Sequence, residues 1–418
     1  MAVERFLRRS LFTGFSPNIT FGQTITACSF LFLPWRWRRW RHGAEVQKVE
    51  EWLKGYFEVK DVITFDSGRS ALFYALTACG IGPGDEVVVQ AYTCVVVVNA
   101  IRWTGARPVY IDVGDDFNMD PAELEKKISP SAKCLIIQHT FGQPARLSEL
   151  LAIAKAHNLK TIEDCAHSLG ARYNGKKVGT FADAAILSFG SDKVVSCARG
   201  GAVVTNNELL TIKLRDLQKK LPSAKLKTVA QHLLHFPFFW LGRATYTWGL
   251  GKALLGLAKR YFIINRVIWP DEKRGRQPDF FPCLFPNALA QILIPQLTSL
   301  EATNDHRRKI AAGYGALIVD KKIQKPLFGQ DPGCIFLRYP ILVEHTAKVH
   351  THAEADGVFL GNWYDTPIAP KDIDMAMTGY VLGSCPKAEF LSAHSINLPT
   401  NIHIQDRDIK RIVQSIHT

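Results

Sequence analysis

Short apolar runs bounded by glycine and polar residues recur through the first half of the chain, and helical patterns separate them. Runs of this length and composition are typical of strands that are buried on both faces of a sheet. Seven such runs lie at residues 62–65, 87–89, 109–113, 134–139, 161–162, 184–187 and 202–204. Their alternation with helices predicts an α/β fold whose large domain has a mainly parallel seven-stranded sheet covered on both faces.

Helical periodicity begins at residue 44, where apolar positions recur every three to four residues between charged ones. The apolar positions are Val46, Val49, Trp52, Leu53 and Tyr56. This spacing is typical of an amphipathic helix packed on a core. A further crossover helix is predicted at 147–154, between two of the strands.

The 418 residues are enough for two domains. Weaker strand patterns near 336–343 and 396–399 predict a smaller C-terminal α/β domain. The expected units are an N-terminal basic and aromatic arm at 1–43, a large domain at 44–270 with an aromatic insertion at about 226–270, and a small domain at 271–418.

Two of the predicted strands lead into polar residues. The run at 161–162 continues into Asp164, and the run at 184–187 continues into Ser188 and then Lys193. In open α/β sheets the ligand binds at the carboxyl ends of the strands. We therefore expect an acid, a hydroxyl and a lysine to face one crevice.

The pair of Lys193 and Asp164 suggests a specific chemistry. A lysine at a buried sheet end loses its proton more easily than in water, because desolvation disfavours the ammonium form. A neutral amine can form a Schiff base with an aldehyde, as in pyridoxal phosphate enzymes, where a carboxylate pairs with the pyridinium nitrogen. The alternative is that Asp164 caps a turn and Lys193 is solvated.

Two further features belong to the same predicted site. The small-residue turn at 66–70 leads into a helix, whose N-terminal N–H groups and partial positive charge suit a phosphate group. Tyr92 follows the strand at 87–89 and could stack on a cofactor ring. The alternatives are an ordinary helix cap and a tyrosine on the rim of the sheet.

The formal net charge of +13 favours an anionic partner: nucleic acid, an anionic bilayer or a phosphorylated substrate. The sequence has neither zinc-finger spacing nor an RNA-binding aromatic signature, so we predict no nucleic-acid partner. Nine cysteines without a C-x-x-C pair indicate reduced thiols in a cytoplasmic protein. We expect no metal site.

Two segments combine aromatic and cationic residues. One reads Trp-Arg-Trp-Arg-Arg-Trp-Arg at 35–41, and the other, at 236–261, mixes Phe, Trp, Tyr and Leu with Lys and Arg. Our hypothesis is that both face an anionic bilayer, as a peripheral contact at the inner face of the membrane. The alternatives are packing against each other, the substrate rim or a dimer partner. Residues 10–35 are too often interrupted by polar residues for a typical signal peptide or spanning helix.

Taken in order, these motifs resemble the DegT/DnrJ/EryC1/StrS family, sugar aminotransferases with the type I pyridoxal phosphate fold. The resemblance is densest from residue 66 to 206, and weaker matches lie at 286–316 and at the C-terminal end. The matching stretches are SGRSALFYAL, GIGPGDEVVVQAYT, ARPVYIDV, HTFGQPA, IEDCAHSLGA, KKVGTFADAAILSFGSDK and GGAVVTN.

The resemblance implies a role for each matching residue around the cofactor ring. Lys193 would hold the aldehyde of pyridoxal 5'-phosphate as the internal aldimine and move protons, and Asp164 would pair with the pyridinium nitrogen. Tyr92 would stack on the ring. His167 would contact the ring hydroxyl, where the family often has glutamine.

The resemblance also implies how the phosphate is held and how the protein assembles. Gly68, Arg69 and Ser188 would bind the cofactor phosphate, and Asn287 would reach it from a second subunit. The expected protein is then a homodimer with shared active sites. The implied reaction converts a keto-sugar, linked to a nucleotide or lipid, to an amino-sugar for cell-surface polysaccharide or natural products, with glutamate as the expected amino donor.

Two departures from the family pattern and one agreement with it bear on this function. Arg199 replaces the acid that the family has shortly after the lysine, and Arg69 stands where small residues are common. The lysine itself is present at 193, which favours transamination over the dehydration that some members with histidine carry out. A pyridoxal phosphate-dependent sugar dehydratase and a membrane-associated, non-catalytic regulatory member are the alternatives.

Overall fold

The computed structural model describes residues 9–327 and 331–417. The strands are β1 (Leu11–Phe12), β2 (Asp61–Phe65), β3 (Glu86–Gln90), β4 (Thr93–Cys94), β5 (Arg107–Ile111), β6 (Ala132–Gln138), β7 (Lys160–Asp164), β8 (Arg172–Tyr173), β9 (Lys176–Lys177), β10 (Ala184–Ser188), β11 (Gly201–Thr205), β12 (Tyr339–Leu342), β13 (Val358–Phe359), β14 (Ile368–Ala369) and β15 (Ser395–Leu398).

The central sheet has seven strands in the order β2-β11-β10-β7-β6-β3-β5. The five strands from β10 to β5 run parallel to one another. β11 runs antiparallel to both β10 and β2. The prediction of a mainly parallel seven-stranded sheet is therefore confirmed, and each predicted apolar run is one of its strands.

Helices cover the sheet and form the C-terminal part. Their bounds are α1 (Phe21–Phe32), α2 (Glu45–Phe57), α3 (Gly68–Ala78), α4 (Val95–Trp103), α5 (Pro121–Lys127), α6 (Leu147–Ala156), α7 (Glu208–Lys219), α8 (Leu226–Ala244), α9 (Leu250–Arg260), α10 (Pro270–Lys273), α11 (Asn287–Thr298), α12 (Leu300–Leu317), α13 (Thr346–Ala355), α14 (Pro386–His394) and α15 (Asp406–Ile416). Short 3-10 helices lie at Pro34–Arg39, Thr140–Gly142, Tyr246–Trp248 and Ala376–Thr378.

The sheet separates two hydrophobic clusters, one on each face. In β3, Val87 and Val89 belong to one cluster and Val88 belongs to the other. Successive side chains of a strand point to opposite faces, so a strand covered on both sides must be apolar at every position. This explains why the strands of this sheet appear in the sequence as continuous apolar runs.

The N-terminal segment is packed into the fold from residue 9 onward. β1 pairs in parallel with β13 in the C-terminal part of the chain. α1, which precedes the aromatic segment at 35–41, packs along α8, and the ring of Phe21 contacts that of Trp240. The first eight residues of the predicted arm lie outside the described part of the chain. The division into arm, large domain and small domain stays a prediction.

Within residues 9–327 and 331–417, no helix combines the length and the apolar character that a membrane crossing requires.

Candidate active site

A cavity opens at the carboxyl ends of β7 and β10, the edge at which a sheet of this kind binds its ligand. β7 ends at Asp164 and β10 ends at Ser188. Lys193 lies in the loop after β10, and Gly68 begins α3 at the same cavity. The sequence predicts that these four residues belong to one site, and in the structure all four line one cavity. They meet there because parallel strands end at a common edge of the sheet.

The cavity places an amine and a carboxyl group in an environment that penalises charge. Desolvation lowers the pKa of Lys193 below its ordinary value of 10.5 and raises the pKa of Asp164. One carboxylate oxygen of Asp164, Oδ1, accepts a hydrogen bond from Ala166 N at 3.0 Å. Oδ2 has no hydrogen-bond partner among the described residues. A cationic ring nitrogen beside Oδ2 would be the positively charged partner that this oxygen lacks.

The N-terminal segment holds the backbone of the lysine loop. Asn18 Nδ2 donates to the carbonyl oxygen of Lys193 at 2.6 Å, and Arg307 Nη2 donates to that of Val194 at 2.9 Å. Ser16 N donates to Asp192 Oδ1 at 2.9 Å. The loop that carries the amine is therefore fixed by residues far away in the sequence. Sequence patterns gave no signal for this support.

The first turn of α3 forms a cradle for an anion. The N-cap Ser67 accepts a hydrogen bond from Ser70 N, whereas the N–H groups of Gly68 and Arg69 donate to no other described residue. A Cβ atom on Gly68 would lie 2.7 Å from Cβ of Ser188, so only glycine allows the helix to approach β10 this closely. Free N–H groups at a helix N terminus beside a serine hydroxyl suit a phosphate group.

His167 lines the cavity and is neutral. Desolvation lowers its pKa well below 6.5. Its Nδ1 accepts a hydrogen bond from Phe141 N at 3.4 Å, which leaves the ring proton on Nε2, 3.5 Å from the hydroxyl of Tyr364. The His167 ring stacks on Trp363 at 5.5 Å between ring centres, and Lys193 Nζ lies 5.1 Å from the same indole. This tautomer presents a donor toward the cavity wall.

Both arginines that depart from the family pattern are engaged in ion pairs. Arg69 lines the cavity, but its guanidinium pairs with the fully buried carboxylate of Glu272 and donates to Val267 O at 2.7 Å. Arg199 donates through Nε and Nη2 to Asp66 Oδ2, at 3.0 and 2.9 Å. Neither guanidinium is a free anion receptor in this arrangement. The role of Arg69 in holding the cofactor phosphate stays a prediction, and only its backbone N–H is available for it.

Tyr92 and Asn287 are the predicted site residues that the structure places outside the cavity lining. Tyr92 is fully buried beneath it, with a left-handed backbone (φ 66°) and its hydroxyl bonded to Ser395 Oγ at 2.8 Å. Asn287 is also fully buried and bonds within its own chain, to the carbonyl oxygen of Arg39 and the N–H of Glu45, each at 2.9 Å. The roles given to both residues stay predictions.

Other residues reach the cavity without a signal in the sequence. Cys94, two residues after Tyr92, lines the space that the tyrosine was expected to fill. The loop at 265–268, which joins α9 to α10, forms a wall of the cavity. By contrast, the loop with Trp363 and Tyr364, which completes the opposite wall, is bounded by Gly and Pro and is a candidate substrate wall from its sequence.

Three buried residues of types that bind metals have their ligand atoms close together: His139, Glu163 and Cys165. Both oxygens of Glu163 already accept hydrogen bonds: Oε2 from Gly179 N at 2.7 Å, and Oε1 from the N–H groups of Phe181 and Ala182. A fully buried carboxylate satisfied by backbone donors has a structural role, and the expectation of no metal is unchanged.

The residues present fit pyridoxal 5'-phosphate. The cavity offers an amine with a lowered pKa, a carboxylate oxygen without a partner and unbonded helix N–H groups, which match the aldehyde, the pyridinium nitrogen and the phosphate. Lys193, Asp164 and Gly68 would hold these three groups.

The sequence model of the DegT/DnrJ/EryC1/StrS aminotransferase family matches residues 35–232 and 285–417. The unmatched stretch between them contains part of α8, all of α9 and α10, and the cavity wall at 265–268.

Among individual proteins, the chain is 30% identical over 378 residues to the UDP-N-acetyl-3-dehydro-alpha-D-glucosamine 3-aminotransferase of Acidithiobacillus ferrooxidans, which covers 90% of this chain and 88% of that enzyme. It is 39% identical over 177 residues to the GDP-perosamine synthase of Caulobacter vibrioides; this match spans 42% of this chain and about half of that protein, 48%.

A solved structure of Streptomyces venezuelae DesV in complex with a ketimine intermediate has the same fold. The two share 24% sequence identity with a TM-score of 0.72, over 96% of this chain and 98% of that one. These matches confirm the predicted fold class, enzyme class and pyridoxal phosphate cofactor. The chain belongs to the DegT/DnrJ/EryC1/StrS aminotransferase family.

Proposed function

We propose that this chain is a pyridoxal phosphate-dependent aminotransferase that converts a keto-sugar carried on a nucleotide or lipid to an amino-sugar. The observation that carries the proposal is the meeting of Lys193 and Asp164 in one cavity beside the unbonded first turn of α3. The relatives named above act on sugars linked to nucleoside diphosphates, which supports the substrate class. Glutamate is the expected amino donor.

Each residue has a distinct task in this reaction. When bound, the cofactor supplies an electron sink for carbon–hydrogen bond cleavage. Asp164 stays ionised against the ring nitrogen and so keeps the sink effective. Lys193, with its lowered pKa, would take the proton that leaves the α-carbon of the amino donor and pass it to the bound cofactor, and in the second half-reaction it would pass a proton to the sugar carbon that receives the amino group. The neutral His167 donates from Nε2 toward the ring hydroxyl, and the backbone of Gly68 and the hydroxyl of Ser188 bind the phosphate.

The half-reaction can be followed by absorbance. Purified protein should show a visible band that glutamate bleaches, and a keto-sugar nucleotide should restore it. Borohydride reduction should add the cofactor's mass to the peptide that contains Lys193. A protein with the band that responds to no amino donor would instead favour the non-catalytic alternative, and a protein without the adduct would contradict the proposal.

The homodimer remains part of the proposal, by membership of the family. Asn287 is bonded within its own chain, so the shared contact expected from it is not what supports the dimer. Sedimentation velocity at two protein concentrations tests the assembly directly. A single species at the mass of one chain would contradict it.

We also propose that one face of the protein contacts an anionic membrane. This basic apolar face consists of α1, the 3-10 helices Pro34–Arg39 and Tyr246–Trp248, α8 and α9. It exposes large apolar side chains, among them Phe32 (73%), Trp35 (71%), Trp248 (61%) and Leu250 (65%). Exposed aromatic and aliphatic residues of this number on one face are typical of an interaction surface.

The charges of this face favour a bilayer over a second copy of the chain. Residues 9–44 contain five arginines and residues 218–270 contain nine lysines and arginines, and neither stretch contains an aspartate or glutamate. Two such faces pressed together would repel each other, whereas an anionic bilayer attracts each cation by about 1 kcal/mol near its surface. Apolar rings would then enter the headgroup layer.

Vesicle flotation tests the membrane contact. The protein should float with vesicles that contain phosphatidylglycerol at low salt, and should float less at 0.5 M salt or with neutral vesicles. The double variant Trp35→Ser, Trp248→Ser should lose most of the binding. Leu382→Ser, which changes an even more exposed apolar side chain (81%) in the C-terminal part, is the control. Equal flotation of the two variants, or none for the native protein, would contradict the contact.

A further inference from the structure

The wall at 265–268 belongs to the segment that the family model does not match. Arg69 ties it to the first turn of α3, through Glu272 and the carbonyl oxygen of Val267. Asn99 Nδ2 donates to the carbonyl oxygen of Glu272 at 2.8 Å. The wall is thus anchored to the sheet domain at the point where the cofactor phosphate is expected.

A second anchor fixes the other end of the loop. Asn265 Nδ2 lies 3.0 Å from His232 Nδ1 in α8. Desolvation lowers the pKa of His232 well below 6.5, so the ring is neutral and its Nδ1 accepts this hydrogen bond. With both ends of the short loop attached to buried partners, the side chain of Arg266 between them is held at the cavity.

Arg266 differs from the other arginines of the cavity in its partners. Arg69 pairs with Glu272 and Arg199 pairs with Asp66. Arg266 is half-buried, with its guanidinium carbon 4.6 Å from the centre of the Phe262 ring, and no carboxylate of the described residues lies within ion-pair distance. A guanidinium that lines a cavity and pairs with no carboxylate is suited to a ligand anion, and its planar fork matches phosphate oxygens.

We propose that Arg266 binds a phosphate group of the substrate's carrier and so selects keto-sugars linked through a diphosphate. The inference rests on the proposed function, because it assigns the cofactor phosphate to the turn at Gly68 and leaves Arg266 for the substrate. The segment 218–270, without any acid, provides a uniformly positive approach to this wall. Nucleotide and lipid carriers share the diphosphate, and the experiment separates them.

The experiment is a calorimetric titration of borohydride-reduced holoenzyme with pyrophosphate, UDP and micellar farnesyl diphosphate. Reduction keeps the cofactor's own phosphate in place, so the titrant reports a different site. Arg266→Gln should weaken pyrophosphate binding about tenfold or more, and Arg266→Lys should restore part of it, since a tenfold change is about 1.4 kcal/mol and one charge-assisted contact contributes that much. Arg260→Gln, on the exposed end of α9, is the matched control and should change binding less than twofold.

The outcomes separate the two proposals. UDP binding more tightly than farnesyl diphosphate indicates a nucleotide carrier, and the reverse order indicates a lipid carrier; either supports the inference when Arg266→Gln weakens the binding of both. Native holoenzyme that does not bind pyrophosphate, or an Arg266→Gln variant that binds it normally, overturns the inference and leaves the proposed function intact. Protein that takes up no cofactor, as judged by absorbance and by the missing adduct, overturns the proposed function.

Discussion

The sheet edge around Asp164 and Lys193 and the insertion at 226–270 both line the cavity, but they reach it by different physical means. The sheet edge is placed by backbone hydrogen bonds: β7 and β10 lie side by side in parallel, so their carboxyl ends coincide. The insertion reaches the cavity through its wall at 265–268, and this wall is placed by side chains, above all by the pairing of Arg69 with Glu272. The comparison teaches that the catalytic side chains lie on the regular part of the fold. Access to them is shaped by a loop that a few polar contacts hold in place.

The largest expected effect concerns the sheet edge. Lys193→Ala should reduce kcat by about 10⁴-fold, because the proton transfer and the covalent attachment of the cofactor both depend on this amine. Steady-state kinetics and the mass of the borohydride-treated protein measure the two effects. Lys155→Ala, an exposed lysine on α6, serves as control and should behave as the native protein. Substantial turnover by the Lys193 variant would contradict the assignment of the chemistry to the sheet edge.

Asp164→Ala should have the next largest effect. Loss of the carboxylate opposite the ring nitrogen should lower kcat by about 10²–10³-fold, the usual cost of removing one preorganised electrostatic contact. Cofactor content, measured by absorbance after alkaline release, should fall less than kcat does. Normal turnover in this variant would contradict the assignment of Asp164.

Arg69→Ala tests the attachment of the insertion. It leaves the carboxylate of Glu272 buried without a cation, so the free energy of unfolding should fall by about 3 kcal/mol, as measured by urea denaturation. The double variant Arg69→Met, Glu272→Leu removes both charges and should recover much of that loss. If the insertion shapes access, KM for the sugar substrate should rise in the single variant more than kcat falls. Equal stability of the single variant and the native protein would show that the pair does not hold the loop.

The smallest expected effect is a pH dependence of stability at the junction of the N-terminal segment and α8. His235 is buried against Ser16 Oγ at 2.6 Å, and desolvation lowers its pKa from 6.5 to about 3. Between these values the unfolded chain binds the proton and the folded chain does not, so stability is present above pH 6.5 and is lost as the pH falls toward 3. From pH 7 to pH 5 the loss from this residue should be about 1–2 kcal/mol.

His235→Gln keeps a hydrogen-bonding side chain at that junction but cannot titrate. Urea midpoints of the variant should therefore decline less between pH 7 and pH 5 than those of the native protein. His157→Gln, which changes an exposed histidine at the end of α6, is the control and should leave the slope unchanged. Identical slopes for the native protein and the His235 variant would contradict a neutral, buried histidine at this position.

The sequence predicted the sheet edge well because strand order and side-chain position follow from local pattern. Asp164, Ser188 and Lys193 come directly after apolar runs, and Gly68 follows the residue that caps a helix. Tyr92 was expected at the cavity by the same reasoning and is instead buried beneath it. The chain turns through a left-handed residue after β3, and Cys94 takes the position at the cavity.

What the sequence alone determined is the family, the parallel sheet and the residues that end its strands, because these depend on hydrophobic periodicity and on motifs within short windows. Tertiary structure alone decided which cations remain free. Arg69, Arg199 and Arg266 look alike along the chain, and only the folded protein supplies Glu272 and Asp66 to the first two and leaves the third without a carboxylate. Ion pairing depends on distances of a few ångströms between residues that lie as far apart in the sequence as Arg69 and Glu272, 203 positions, and no local pattern encodes it.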